Sequence, residues 1–385
     1  MLRVPFNTPY IPDGVLSEIT KLFRSGNQLC GDGNISHLCE KELKTLLEVE
    51  NRVLLTNSCS SALEIAAILS NLNPNSEVII PSYTFVASAT PFTREKAKVK
   101  FCDIDEQTGN ICLDSLQKQI TKNTKVIVCV HYGGSSCDLE KLLEIVRANN
   151  LILIEDCAQA IHGTYKRKRL GKFGEFGCFS FHDTKNISAG EGGCLTINKH
   201  NFIQRAQYIR DKGTNRKDFK EKLVNKYHWV DEGSSFSLSE INACLLLHGL
   251  RESNEIHQKR IKIWDQYNKL LKPLEDCNKI FIQKIPEFNS NAAHLFFFLV
   301  EKSIRKDLMN FLRGSGIEAT FHYIPLHSSP YGKIYSQNIT HKNSLQNTEK
   351  FAESIVRLPL RPNMEITDCE YICQKIYEFF DIKFY

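Results

Sequence analysis

The stretch FSFHDTKNISAGEGG, residues 179–193, sets one lysine, Lys185, among hydroxyls, small residues and glycines. An apolar β-like run, Phe176 to Phe181, precedes it, and a second, Gly192 to Ile197, follows. The lysine therefore lies in a loop between two strands, on a rigid scaffold that aims its amine inward. Desolvation disfavours the charged ammonium, and an amine treated in this way can form a Schiff base and then shuttle a proton. An exposed loop lysine is the plain alternative, and a second stretch weighs against it. Leu151 to Glu155 (LILIE) is a continuous apolar run ending on a carboxylate, with Asp156 and Gln159 next in EDCAQA. Such a run suits a buried parallel strand, and ligands of open α/β sheets bind outside the carboxyl ends of the strands. Asp156 then shares a crevice with Lys185. Pyridoxal phosphate needs this pair: an amine for its aldehyde, and a carboxylate that keeps the pyridine nitrogen protonated.

A third feature supplies a phosphate cradle. After the strand-like Arg52 to Thr56 come Asn57-Ser58-Cys59-Ser60-Ser61, and then a helix with apolar residues Ile65, Ala66, Ile68 and Leu69. Hydroxyls and free N–H groups at a helix N-terminus hold anions. Taken singly, a turn-capping Asp and a serine N-cap are ordinary structural features. Together, in this order and at this spacing, the three features match a fold-type I pyridoxal phosphate enzyme.

With these residues in view, the sequence resembles the sugar aminotransferases of the DegT/DnrJ/EryC1/StrS group. The likeness runs from Pro5-Phe6-Asn7 and LCGDG (Leu29 to Gly33) through PSYTFVASA (Pro81 to Ala89), FSFHDTKN and DKGTNR (Asp211 to Arg216) to HYIPLH (His322 to His327) and RLPL (Arg357 to Leu360). In its variable parts it is similar to one branch, the dTDP-4-amino-4,6-dideoxygalactose transaminases.

The resemblance implies that Lys185 bonds the cofactor, Asp156 pairs with the pyridine nitrogen and Gln159 lies near the phenolic oxygen. Phe85 would cover the ring face, and Cys59, Ser60, Ser61 and Ser180 would meet the phosphate. Ser235 stands where many relatives carry an asparagine that crosses a dimer interface to the phosphate. His131, Lys212, Tyr227, His228, His322, Tyr323 and His327 match segments of the substrate rim. The implied reaction moves the amino group of L-glutamate to C4 of a dTDP- or UDP-linked 4-keto-6-deoxyglucose, in a homodimer. Competing readings are a 3-aminotransferase on a related keto sugar and a non-catalytic cofactor-binding regulator. Dehydratase relatives replace the lysine with histidine, so Lys185 disfavours that chemistry, and no GxGxxG follows the first strand to support a nicotinamide enzyme.

The 385 residues, 42% of them hydrophobic, suffice for a large core and two domains. A net charge of +5 without a long basic run gives no case for nucleic acid. Fourteen cysteines are scattered singly with no CxxC pair, which argues for buried thiols in a reducing compartment and against a metal site. The N-terminus lacks a signal-peptide pattern and no apolar run reaches membrane length, so a cytoplasmic protein is expected. Asn186-Ile187-Ser188 and Asn338-Ile339-Thr340 match a glycosylation pattern by chance on this reading.

Seven short strands are predicted, at Arg52 to Thr56, Val78 to Pro81, Lys98 to Asp103, Lys125 to His131, Leu151 to Asp156, Phe176 to Phe181 and Gly192 to Ile197. With helices between several of them they predict an α/β, mainly parallel sheet buried on both faces. An N-terminal arm (1–25) would lead into the large cofactor-binding domain (26–250), and a charged helix from Glu252 to about Leu271 into a smaller α+β domain (251–385).

Overall fold

The computed structural model describes residues 3–336 and 345–384; the pattern at Asn338 lies outside them. The seven predicted strands form within a residue or two of their expected ends. They are β1 (Arg52–Thr56), β2 (Glu77–Pro81), β3 (Lys98–Cys102), β4 (Thr124–Val130), β5 (Ile152–Asp156), β6 (Phe176–Ser180) and β7 (Gly193–Ile197). They make one sheet in the order β1-β7-β6-β5-β4-β2-β3. All neighbours run parallel except β7, which is antiparallel to both β1 and β6.

Side-chain alternation explains why these runs are apolar throughout. In β4, Val126 and Val128 enter the core on one face while Ile127 and Cys129 enter the core on the other. Helix α3 (Cys59–Leu69) covers the first face with Ala62, Leu63, Ile65, Ala66 and Leu69. The second face takes α2 (Asn34–Leu46) through Cys39 and Leu43, α4 (Leu139–Ala148) through Leu139 and Leu142, and α5 (Glu240–Arg251) through Ala243, Leu246 and Leu247.

A separate core gathers around α6 (Ser253–Asp276), α7 (Lys302–Gly314), α8 (Ile366–Phe379) and an antiparallel sheet of β8 (Phe281–Ile282), β9 (Phe296–Leu299) and β10 (Ile355–Leu358), in the order β8-β9-β10. Helix α6 runs past the expected end near Leu271 and through Pro273. Leu274 is buried, and Glu275 accepts from the Ile282 N–H and from Lys284.

The N-terminal arm serves both bodies. Val4 pairs with Ile317 and belongs to the second core, whereas α1 (Val15–Arg24) packs on α5. All fourteen cysteines are free, most of them buried. Among the described residues no helix is long and apolar enough to cross a membrane.

Candidate active site

The sheet register builds the site. Asp156 ends β5, Ser180 ends β6 opposite Gly193, and Thr56 ends β1 opposite the same glycine. Three strand ends thus meet the start of α3. A Cβ on Gly193 would lie 2.4 Å from the Cys59 nitrogen, so only glycine lets the helix start this close to the sheet. Ser58 caps α3 by accepting from the Ser61 N–H at 3.0 Å.

Between β6 and β7 the loop is closed by Phe181 N–H to Gly192 O at 2.8 Å and Asp183 N–H to Gly190 O at 2.9 Å, with Gly190 at φ 74° making the turn. Lys185 therefore points into a cleft of about 520 Å³ that Asp156, Ser60, Ser180, Gln159 and Phe85 also line.

Each polar group there has a definite state. Burial pushes the Lys185 amine below the usual lysine pKa; Cys59 and Asp156 oppose the shift and Arg357 adds to it. Asp156 accepts from Ser88 Oγ at 2.6 Å and from the Ala158 N–H at 3.1 Å, which fixes its plane. Gln159 accepts from the Gly133 N–H at 2.7 Å and donates to the Tyr323 phenol at 3.0 Å. His322 stacks on Tyr323 with centroids 4.0 Å apart, and burial keeps its imidazole neutral. Phe85 stands at the mouth, 58% exposed.

Other sequence-derived candidates lie elsewhere. His131 is fully buried, its Nε2 donating to Glu155 at 2.9 Å, and it does not line the cleft. Its motif position is right, but its side chain points into the interior. The cluster His131, Glu155, Cys157 has metal-like spacing. Glu155 is already saturated by the N–H groups of Gly171, Phe173 and Gly174, so it acts as a structural knot rather than a ligand set. His327 is held between Ser82 Oγ at 2.7 Å and Glu349, off the cleft wall. Ser61 is turned to Asn57 and Ser58. Lys212, Tyr227, His228 and Ser235 are exposed and do not line this cleft. The Ser235 carbonyl accepts from Asn57 Nδ2 at 3.2 Å, beside the cradle.

Four contributors were missed by the sequence reading. Ser88 orients Asp156, and His294, Phe6 and Arg357 line the cleft. The signal for Arg357 was present: a charge inside the apolar run IVRL, quoted only as part of a motif.

An amine whose charge burial disfavours, a carboxylate fixed by two hydrogen bonds and a helix N-terminus at one sheet edge define a fold-type I pyridoxal-phosphate enzyme. The model of the DegT/DnrJ/EryC1/StrS aminotransferase family matches residues 12–377, and the chain belongs to that family. The uncharacterized protein MJ1066 of Methanocaldococcus jannaschii is 31% identical over 81% of each chain. GDP-perosamine synthase of Escherichia coli O157:H7 is 27% identical over 91% of this chain and 92% of its own. Spr1654 from Streptococcus pneumoniae, solved in its PLP form, shares the fold with a TM-score of 0.86 at 24% identity, over 96% of this chain and 97% of its own.

Pyridoxal 5′-phosphate fits the donor set. Lys185 would meet the aldehyde, Asp156 the ring nitrogen, and the start of α3 with Ser60 the phosphate; all three residues line the cleft.

Proposed function

We propose that the enzyme moves the amino group of L-glutamate to C4 of a nucleotide-linked 4-keto-6-deoxyglucose, on dTDP or UDP, giving a 4-amino-4,6-dideoxyhexose nucleotide. The observation that carries transamination is the Lys185 amine, which lines one cleft with Asp156 and whose charged form burial disfavours. The bound cofactor supplies an electron sink for charge developing on the substrate carbon. Lys185 supplies the proton traffic: its Nζ, whose charged form burial disfavours, accepts a proton from that carbon and returns it on the far side of the reaction. Asp156, locked by Ser88 and the Ala158 N–H, holds the ring-nitrogen proton by charge. Gln159 and Tyr323 tie the opposite wall together. His322, stacked and neutral, offers sugar hydroxyls a hydrogen-bonding edge without a charge.

Amination at C4 rests on the likeness of LCGDG, DKGTNR and HYIPLH to a C4 branch. The relative named GDP-perosamine synthase supports a nucleotide-linked substrate. A cytoplasmic homodimer belongs to the same reading, in which Ser235, exposed in this chain, would serve a partner's cofactor phosphate. The test offers 4-keto and 3-keto 6-deoxyhexoses on dTDP and UDP separately with glutamate, then locates the new amine by NMR. Amination at C4 alone supports the assignment. Efficient amination only at C3 overturns it and leaves the family untouched.

A further inference from the structure

His294 lies two residues before β9, lines the cleft and is 6% exposed. Its neighbours fix its tautomer. The Ala292 carbonyl can only accept a hydrogen bond, and it takes one from Asn186 Nδ2 at 2.8 Å. The Asn186 amide therefore turns its Oδ1, which also can only accept, toward His294 Nδ1 at 2.9 Å. The imidazole proton must sit on Nδ1. Burial, with the charges of Lys185, Arg260 and Arg357, holds the ring well below the usual histidine pKa, so no second proton occupies Nε2. Nε2 keeps a bare lone pair, has no partner among the described residues and is not sealed into the core. A ring that gives one edge to Asn186 and lines the cleft directs that lone pair into the cleft.

The chain holds this ring rigidly. Ala293 stands at φ 47°, in the left-handed region that a residue with a Cβ avoids. It is kept there by Asn291 Oδ1, which accepts from the Ala293 N–H at 2.8 Å, and by Arg260, which donates to the carbonyls of Ala293 at 2.8 Å and His294 at 2.6 Å. Backbone strain held by so many bonds clusters at functional sites. Through Asn186 the ring is also tied to the residue next to Lys185. Two other acceptors on the cleft wall are already engaged, Asp156 by Ser88 and the Ala158 N–H, and Gln159 Oε1 by the Gly133 N–H.

A neutral lone pair takes a hydrogen-bond donor, not an anion. Glutamate carries on its reacting carbon the amine that leaves, the hydrogen that Lys185 takes, a carboxylate and an apolar CH₂, so nothing remains to donate to Nε2. In a 4-keto-6-deoxyglucose, one carbon beside C4 carries a hydroxyl, at C3, and the other carries hydrogen and the methyl group. The C3 hydroxyl is thus the one donor on a carbon adjacent to the reacting centre.

We propose that His294 Nε2 accepts a hydrogen bond from the C3 hydroxyl of the keto sugar, orienting the ring with C4 toward Lys185 and leaving the donor half of the reaction untouched. This rests on the C4 transaminase reading above and adds to it the group that recognises the sugar beside its reacting carbon.

The experiment measures the two halves separately in wild type, His294→Phe and His294→Gln. Glutamate added alone to the cofactor-loaded enzyme, followed by loss of yellow colour, reports the donor half. The amine-loaded enzyme mixed with nucleotide-linked 4-keto-6-deoxyglucose, or with its 3-deoxy analogue, reports the sugar half. A site built to bond a hydroxyl rejects the analogue that lacks it, so wild type should use the 3-deoxy sugar at least about 10-fold less well. His294→Phe should lose about 10-fold or more in kcat/KM with the 3-hydroxy sugar, whose hydroxyl is then desolvated without a partner. Its rates with the 3-deoxy sugar and with glutamate should stay within about two-fold, since neither shares the contact. His294→Gln, whose amide oxygen can accept from the same hydroxyl, should return part of the loss. Melting temperature and resting absorbance report folding and cofactor loading, and the wild-type comparison of the two sugars stands if His294→Phe fails to load.

A wild type that aminates both sugars equally well, or a His294→Phe that loses the same factor with both, overturns the C3-hydroxyl assignment. An equal loss in the glutamate half places the role of His294 in holding Asn186 and the Lys185 loop, and overturns the specificity role. Efficient amination by wild type at C3 alone is a different result: it overturns the C4 reading itself.

Discussion

Arg210 and Arg357 are equally buried, at 3% and 6% exposure, and the protein treats them in opposite ways. Arg210 Nη1 donates to Glu40 Oε1 at 2.9 Å and Nη2 to Asp32 Oδ1 at 2.6 Å, while Arg52 adds a second contact to Glu40 at 3.0 Å. Glu40 also accepts from the Leu55 N–H, so the cluster pins α2 to β1 at the edge of the sheet. Every charge there has its partner inside the chain. In the cleft, Arg357 has none and Lys185 is left with a lowered pKa. A paired cluster fixes a shape, and an unpaired one stores free energy that a ligand of matching charge releases on binding.

The largest expected effect lies on the unpaired side. Lys185→Ala removes both the cofactor bond and the proton carrier, so glutamate-dependent formation of 2-oxoglutarate should fall by about 10⁴-fold or more. The melting temperature of the cofactor-free protein should hold or rise, because a buried amine costs folding free energy. Retention of full activity would remove Lys185 from the chemistry.

Next comes the direct contrast. Arg210→Met removes the buried cation that Glu40 and Asp32 share, leaving Arg52 on Glu40 and Lys220 on Asp32, and should cost about 3 kcal/mol in urea unfolding, whereas Arg357→Met should be neutral or stabilise the cofactor-free protein. Equal destabilisation by the two substitutions would show that the chain pairs both guanidiniums alike.

The third effect is a pH dependence. Burial raises the Glu40 pKa, but the His37 hydrogen bond and the charges of Arg210 and Arg52 outweigh it and leave the carboxyl at about 2, below its ordinary 4.5. A folded-state pKa below the unfolded one gives stability that is present above pH 4.5 and lost as pH falls towards 2. The shift corresponds to roughly 3 kcal/mol by linkage. Urea unfolding at pH 7 and pH 3 should show wild type losing more stability than Glu40→Gln across that window. Parallel losses would show that other carboxyls dominate acid unfolding.

The fold was legible because each strand is a short apolar run between turn residues, and the sheet buries both faces of every run. Lys185, Asp156, Ser60, Gln159 and Ser180 were legible for a related reason: they sit at strand or helix ends, where a parallel sheet exposes its residues to one crevice. The rim was not. His131 and His322 look alike in sequence, yet the first points into the interior at Glu155 and the second lies against Tyr323 on the cleft wall. Arg357 read as part of an apolar strand because the sequence does not show that its alternation face lacks an acid. Phe6 was out of reach for another reason. Its place depends on the arm folding back, with Asn7 Nδ2 donating to the Asp183 carbonyl at 3.2 Å, across 176 residues of chain.

That arm supplies the smallest effect and the finest probe of the contrast. Phe6 N–H donates to Glu318 at 2.8 Å, and Val4 pairs with Ile317, so the ring is carried by the second body and set over the Arg357 guanidinium. Phe6→Leu keeps the apolar cover and removes the ring face. A cation–π contact that is partly desolvated contributes about 0.5–2 kcal/mol, so Phe6→Leu should lower the stability of the cofactor-free protein by about that much in urea unfolding. Removing Arg357 first should abolish the effect: in an Arg357→Gln background, Phe6→Leu should change the unfolding free energy by less than about 0.5 kcal/mol, as expected when the shared partner is already gone. If Phe6→Leu costs the same in both backgrounds, the ring stabilises the arm by packing alone and the guanidinium gains nothing from its aromatic neighbour.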